Sequence, residues 1–194
     1  MIAAAVIALG VSRTFGQQQQ GPPPERPVPA VLKDYPSVTA ERLKNPDARD
    51  WLMIRRTYDG WGYSPLEQIT PANVSRLKPV WVFSTAEPRV HQAVSLVNGG
   101  VMFVTSPNNQ VIAIDVRSGN LLWRYRRPLE TGMQVPHQTN RGVALWQDKV
   151  LFAAGEAVLV ALDARTDERR GPHRSPTTSR ATTRRSHRSS PMAW

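Results

Sequence analysis

The sequence offers few residues that can do covalent chemistry. It contains no cysteine, which excludes thiolate nucleophiles, disulfides and cysteine-bound zinc. Four histidines are present, but no H-E-x-x-H sets two of them on one helix face. G-x-S-x-G, the phosphate-cradling P-loop and G-x-G-x-x-G are also absent. What remains is a set of polar groups suited to holding oxygen atoms. Arg141, in the run Asn140-Arg141-Gly142-Val143-Ala144, carries a planar guanidinium that can bond oxygens and stabilise negative charge. Gln92 offers an uncharged amide. Asn140 has the same group and the habits of a turn former. His91 and His137 are single histidines that can stand at a pocket rim or hold local structure.

The elements that must position these groups are short. Thr39 to Lys44 predicts one helical turn with Thr39 as cap. Asn45-Pro46-Asp47 predicts a second short helix through Trp51, and Thr70-Pro71-Ala72-Asn73 a third over Pro71 to Leu77. From Val80 the period changes. Val80-Trp81-Val82-Phe83, Val101 to Thr105, Val111 to Asp115 and Leu121 to Tyr125 read as strands, and so do Val143 to Leu145, Val150 to Ala153 and Ala157 to Asp163. Turn residues separate them, among them Ser118-Gly119-Asn120. Short strands at this spacing indicate an antiparallel all-β architecture.

There is an internal repeat. Ala113-Ile114-Asp115-Val116-Arg117-Ser118 aligns with Ala161-Leu162-Asp163-Ala164-Arg165-Thr166 at a spacing of 48 residues. A repeat of this length holding about four strands is the signature of a propeller blade, which needs neighbours to bury both faces of its sheet.

Charge is unevenly spread. The formal net charge is +10, from 25 basic and 15 acidic residues. Residues 167–194 hold seven arginines and two acids, so this tail carries half of the excess. Basicity therefore says little about the body of the chain. At the other end, Ile2 to Val11 is a ten-residue apolar run, too short for a ~30 Å hydrocarbon core. Its length suits the apolar stretch of a secretory signal over residues 1–16, cleaved near Gly16, although no basic residue precedes it. Export to the periplasm is the expectation. Residues 17–36, rich in proline and glutamine, read as a linker, and 37–79 as an arm with short helices.

The segment Ala113-x-Asp115-x-x-Ser118-Gly119-x-x-x-Trp123 resembles the tryptophan-docking motif of pyrroloquinoline quinone (PQQ) dehydrogenases, with serine in place of threonine. Tyr63-Ser64-Pro65-Leu66-Glu67-Gln68-Ile69 followed by Asn73-Val74 and Leu77, then Trp81-Val82-Phe83-Ser84-Thr85, then Asn140 to Ala144, resemble further segments of the same enzymes in the same order. The resemblance implies a partial β-propeller, with about two blades of an eight-bladed wheel over residues 80–166. It also implies PQQ as cofactor, a calcium or lanthanide ion in the full-length family, and an alcohol or sugar as substrate. The electron acceptor would be a cytochrome c or a quinone. Arg141 is expected beside the quinone oxygens. Gln92 stands where many members have a glutamate that contacts PQQ, while Asn140 and His137 complete the expected cofactor-binding set. Adjacent cysteines that many alcohol-oxidising members carry are replaced here by Val135-Pro136. No catalytic acid or base and no metal ligand is assigned in this chain, because the family's lie further along.

The second repeat departs from the motif after Thr166, where Asp167 replaces the expected glycine. Arginine, serine, threonine and proline dominate from there to Trp194. This composition reads as a disordered basic tail translated out of frame, leaving an inactive amino-terminal fragment of a dehydrogenase. Two other classes are a non-enzymatic propeller-type binding module and nucleic-acid binding through the tail. The Y-S-P-L and N-R-G-V-A segments argue against the first, a steeply salt-dependent affinity lost on deleting residues 167–194 would mark the second, and no nucleic-acid partner is expected.

Overall fold

The structure, a computed structural model, describes residues 27–129, 131–133, 135 and 139–170. Two short helices lead, α1 (Ala30–Lys33) and α2 (Ala40–Lys44), and a single 3-10 turn spans Val74–Arg76. Seven strands follow: β1 (Leu96–Asn98), β2 (Val101–Ser106), β3 (Gln110–Asp115), β4 (Leu121–Arg126), β5 (Ala144–Trp146), β6 (Lys149–Ala153) and β7 (Leu159–Asp163). They form two antiparallel sheets, β1-β2-β3-β4 and β5-β6-β7. Each sheet is a meander, as expected of hairpin-linked strands rich in β-branched residues.

The 48-residue shift governs the entire fold. It carries β1 onto β5, β2 onto β6 and β3 onto β7, turns included. The β1–β2 hairpin turns through Gly99 at φ +58°, and its counterpart through Gln147 at φ +53°. The β3–β4 turn has Gly119 at φ +73°, and at the equivalent place Asp167 takes φ +62°, a conformation that aspartate tolerates better than most residues. In both turns an aspartate caps the backbone. Asp115 Oδ1 accepts from the Arg117 N–H at 2.8 Å, and Asp163 Oδ1 from the Arg165 N–H at 2.8 Å.

The blade register thus continues past Thr166. Leu162 bridges Arg169 in antiparallel fashion, as Ile114 pairs with Leu121 in the first sheet. The Arg170 N–H then donates to the Ala161 carbonyl at 2.8 Å. Asp167 to Arg170 are the turn and first residues of a fourth strand. Loss of the glycine did not end the motif, because the aspartate carboxylate and the left-handed backbone suffice to make the turn. Residues 171–194 lie outside the described set, as does the expected signal segment.

The core lies between the sheets. Along β2, β3 and β4 one face presents Val101, Phe103, Val111, Ala113 and Trp123. The second sheet meets it with Val150, Phe152, Val160 and Leu162. In repeat terms, those four match positions 102, 104, 112 and 114, which are on the other face of the first sheet. Like sheets therefore stack face to back, as propeller blades do. Phe103 packs on Trp123 with ring centroids 5.8 Å apart. The junction is pinned by a hydrogen bond from Trp123 Nε1 to the Ala164 carbonyl at 2.9 Å. The same bond recurs one blade earlier, from Trp81 Nε1 to the Val116 carbonyl at 2.9 Å.

The arm packs at one end of both sheets, against the β1–β2 and β5–β6 turns. Val38 bridges Gln147, and the backbones of Trp51 and Val97 exchange two hydrogen bonds. The Asp50 carboxylate accepts from Arg42 Nη2 at 2.7 Å and from the Gly99 N–H at 2.9 Å. Leu32 and Val38 are fully buried, and Tyr35 stands edge-on to Phe103. Leu32 and Tyr35, within the expected linker, are therefore core, and with Val38 they cover the end of the sheets. Burial pushes the Tyr35 phenol up to about 12.

Several sequence readings are corrected. Val80–Phe83 is no strand, because it pairs with no ladder among the described residues. Asn45 to Trp51 is a turn closed by the Asp50 N–H on the Asp47 carbonyl, not a helix. Too few residues separate it from the Trp51 bridge for a helix to repeat. β1 had no strand signature in the sequence, since two of its three residues are leucine and asparagine. Trp61, on the arm, is exposed. The helix at Ala40–Lys44 is as expected, with Thr39 Oγ1 accepting from the Arg42 N–H at 3.3 Å.

Candidate functional site

Because the strands alternate in direction, each sheet has two distinct ends. The arm occupies the end carrying the β1–β2, β3–β4 and β5–β6 turns. The opposite end carries the starts of β1 and β5, the β2–β3 and β6–β7 turns and the finish of β4. Gln92 and Arg141 both lie at this second end, just ahead of β1 and β5. The Val94 N–H donates to the Arg141 carbonyl at 3.5 Å, tying the two approaches together. Gly142 permits the contact. Its φ is +126°, and a Cβ there would sit 3.2 Å from the Val94 carbonyl oxygen, a combination only glycine accommodates without strain.

Asn140 builds the local turn. Its Oδ1 accepts from the Gly142 N–H at 2.9 Å and its Nδ2 donates to the Ala153 carbonyl at 2.7 Å. Both ends of the amide are thereby engaged, and Arg141 is presented outward and exposed. Gln92 is exposed as well and is the repeat equivalent of Asn140. One position in the blade thus serves as a free amide in the first sheet and as a structural clasp in the second. His91 is tied locally. Its Nδ1–H donates to the Arg89 carbonyl at 2.8 Å, leaving Nε2 to accept from Thr85 Oγ1 at 2.9 Å. His137 lies outside the described residues.

Two carboxylates at this end went unnoticed in the sequence. Glu87 accepts from Asn108 Nδ2 at 2.8 Å, Gln110 Nε2 at 2.9 Å and Arg126 Nη2 at 2.8 Å. The Asn108 amide first, and then the Arg126 guanidinium, hold this carboxyl below its usual range against some desolvation. Glu156 links the sheets. It accepts from Asn109 Nδ2 at 2.8 Å and from Arg127 Nε. Burial works to raise its pKa, but the Arg127 and Asn109 hydrogen bonds outweigh that and lower it. Arg126 and Arg127 therefore act as clamps on these carboxylates. Carboxylates so fully supplied with donors are poor proton acceptors at neutral pH, so both act as stitches. Only the Asn108-Asn109 pair, left-handed at φ +63° and +54°, hinted in the sequence at such a junction.

Among the described residues no three His, Asp or Glu side chains gather so as to hold a metal ion. A cleft of about 780 Å³ opens at the arm end, lined by Arg42, Asp50, Gly99, Asp115 and Arg117 among others. It stands at the opposite end from Arg141, and its Arg42 and Asp50 are engaged with each other. Gln92 and Arg141 present exposed polar groups at the other end, where the approaches to β1 and β5 meet.

Comparison with known proteins places this geometry. The family model for the β-propeller domain of PQQ-dependent glucose/ethanol/alcohol dehydrogenases matches residues 51–170. A quinohemoprotein alcohol dehydrogenase, ADH-IIG, of Pseudomonas putida is 35% identical over 147 residues, which is 73% of this chain and 20% of the relative. A 1-butanol dehydrogenase (cytochrome c) of Thauera butanivorans is 44% identical over 117 residues, covering 58% of this chain and 17% of its own. The crystal structure of the quinohemoprotein alcohol dehydrogenase of Comamonas testosteroni superposes with a TM-score of 0.64 at 36% identity, over 72% of this chain and 21% of the other. A europium-containing methanol dehydrogenase superposes at 0.59 with 32% identity, over 66% and 23%. The chain thus spans about a fifth of the length of these relatives. The two stacked blades are therefore those of a known enzyme fold, and the chain belongs to the β-propeller family of PQQ-dependent alcohol dehydrogenases.

Proposed function

We propose that these two blades supply one sector of the PQQ site of a dehydrogenase that oxidises an alcohol, and that the 194-residue chain alone performs no turnover. The observation that carries this is the Val94–Arg141 backbone contact, which brings the approaches to β1 and β5 to one rim with Arg141 facing outward. The donor chemistry suits the cofactor. A guanidinium held on a clasped turn can bond quinone oxygens and stabilise charge on them, and Gln92 adds a neutral amide from the neighbouring blade. When bound, PQQ supplies the two-electron redox chemistry. The chain's share is to orient it, through Arg141 and Gln92, with Asn140 and Gly142 fixing the turn. Donors for a calcium or lanthanide ion and a general base would come from other blades.

The same reading extends to the periplasm as the compartment and to a cytochrome c or a quinone as electron acceptor. It also retains the out-of-frame origin of the basic tail. Reading the nucleotide sequence downstream of codon 166 in its other frames tests that last point. Further blade motifs there would support it, and their absence would remove it.

The function is tested by titrating PQQ into the purified chain while following tryptophan fluorescence, and by PQQ-dependent dye reduction with calcium or a lanthanide added. Weak binding, weakened further in Arg141→Ala, and no dye reduction are expected. Turnover by the chain alone would overturn the inactivity, and an unchanged titration for Arg141→Ala would overturn the rim.

A further inference from the structure

We propose that the Asn108-Asn109 pair positions the two cofactor donors. Asn108 sets the approach that carries Gln92, and Asn109 sets the turn that anchors Arg141. The assignment rests on the PQQ reading above and adds to it two residues that act through others. Both belong to the β2–β3 turn, at the same end of the sheets as Gln92 and Arg141.

Each amide reaches in one direction. Asn108 faces the segment ahead of β1. Its Oδ1 accepts from Arg89 Nη1 at 2.6 Å and its Nδ2 donates to Glu87 at 2.8 Å. The Arg89 carbonyl accepts in turn from His91 Nδ1–H at 2.8 Å, and Gln92 is the next residue. Asn109 faces the second sheet and is 7% exposed. Its Oδ1 accepts from the Gly155 N–H at 2.9 Å and its Nδ2 donates to Glu156 at 2.8 Å. Gly155 follows closely on Ala153, whose carbonyl holds the Asn140 amide beside Arg141. An amide engaged as both donor and acceptor fixes the direction of what it bonds. Two adjacent side chains thus fix both donors from one turn, and with them the separation of the donors.

The turn alone does not call for these amides. At the 48-residue repeat spacing, Asn108-Asn109 match Glu156-Ala157. Ala157 takes the same left-handed backbone, φ +62° against +54° at Asn109, and its N–H closes the turn on the Ala154 carbonyl at 3.0 Å. Alanine bears that conformation less readily than asparagine, yet the turn forms. The Asn109 amide is therefore not needed by its own turn and serves the neighbouring blade.

Glycine keeps the left-handed backbone and removes only the amide, so Asn108→Gly and Asn109→Gly separate positioning from turn formation. PQQ is titrated into each full chain by tryptophan fluorescence, alone and combined with Gln92→Ala or Arg141→Ala. Asn109→Gly is expected to weaken the titration about twofold or more, the floor for groups coupled in one network. That loss should vanish in Arg141→Ala and persist in Gln92→Ala, and Asn108→Gly should show the reverse dependence. A merely structural loss would add equally in both backgrounds. Hydrogen exchange without PQQ gives a second readout. Asn109→Gly should speed exchange of the Gly142 amide, which Asn140 Oδ1 holds, with circular dichroism unchanged. The reversed pair Asn109→Asp with Glu156→Gln keeps an acceptor for Gly155 and a donor opposite it, so it should titrate like the unmodified chain even where Asn109→Gly misfolds. Equal losses in both backgrounds, unchanged Gly142 exchange, or a folded reversed pair that stays weak overturns the positioning and leaves the PQQ reading standing. Unchanged titrations for both Gln92→Ala and Arg141→Ala would instead remove that reading, and this assignment with it.

Discussion

An alanine methyl at Gly119 would lie 2.6 Å from two atoms of the Trp81 indole, on backbone at φ +73°. Gly119→Ala is therefore expected to cost at least the ~1–2 kcal/mol of a left-handed alanine and to loosen the Trp81–Val116 bond, seen as a lower urea midpoint and a shifted tryptophan emission. Glu156 gives a pH signature. Its folded pKa lies below the ordinary 4.5, so its contribution is fully present above that value and is lost as pH falls through the folded one. The melting temperature should drop through this acid window, and Glu156→Gln should flatten the drop. Neither glutamate was legible beforehand, because the donors that hold each one come from distant turns. Arg141, Asn140 and Gln92 were legible as donors, but their different uses were not: what Asn140 does depends on the Ala153 carbonyl, 13 residues away.

At the scale of elements, the docking bond is the working unit. Trp123→Phe keeps an aromatic ring in the core but leaves the buried Ala164 carbonyl without its donor. A loss of about 1–3 kcal/mol is expected, measurable by chemical denaturation. The strands rich in β-branched and aromatic residues, β2, β3, β4 and β6, could be read from the sequence to within a residue or so at each end. Val80–Phe83 has the same strand-type composition yet forms no ladder, because a strand is a property of a pair and its partner is missing from the described chain. β1 shows the reverse, a strand with weak propensity recruited by its hairpin with β2 and its bridge to Trp51. The Asn45-Pro46 start signal was genuine chemistry without room to propagate, and the aspartate there closes a turn instead.

For the whole molecule, the arm is part of the core. Leu32 is fully buried, and Leu32→Ala should cost about 2–5 kcal/mol, followed by thermal melting of the full chain. Proline-rich composition concealed this, since the linker reading ran across Leu32 and Tyr35, whose buried side chains help to cap the sheets. The arm also makes the molecule one-sided. The sequence contains four lysines, Lys33, Lys44, Lys78 and Lys149. Lys33 and Lys44 are on the arm, Lys149 follows the β5–β6 turn, and Lys78 precedes the tryptophan docked at the β3–β4 turn. All four belong to the end away from Arg141. Lysine-directed coupling to a sensor surface would consequently immobilise every molecule in the same sense, with Arg141 and Gln92 directed into the flow and open to an injected anion.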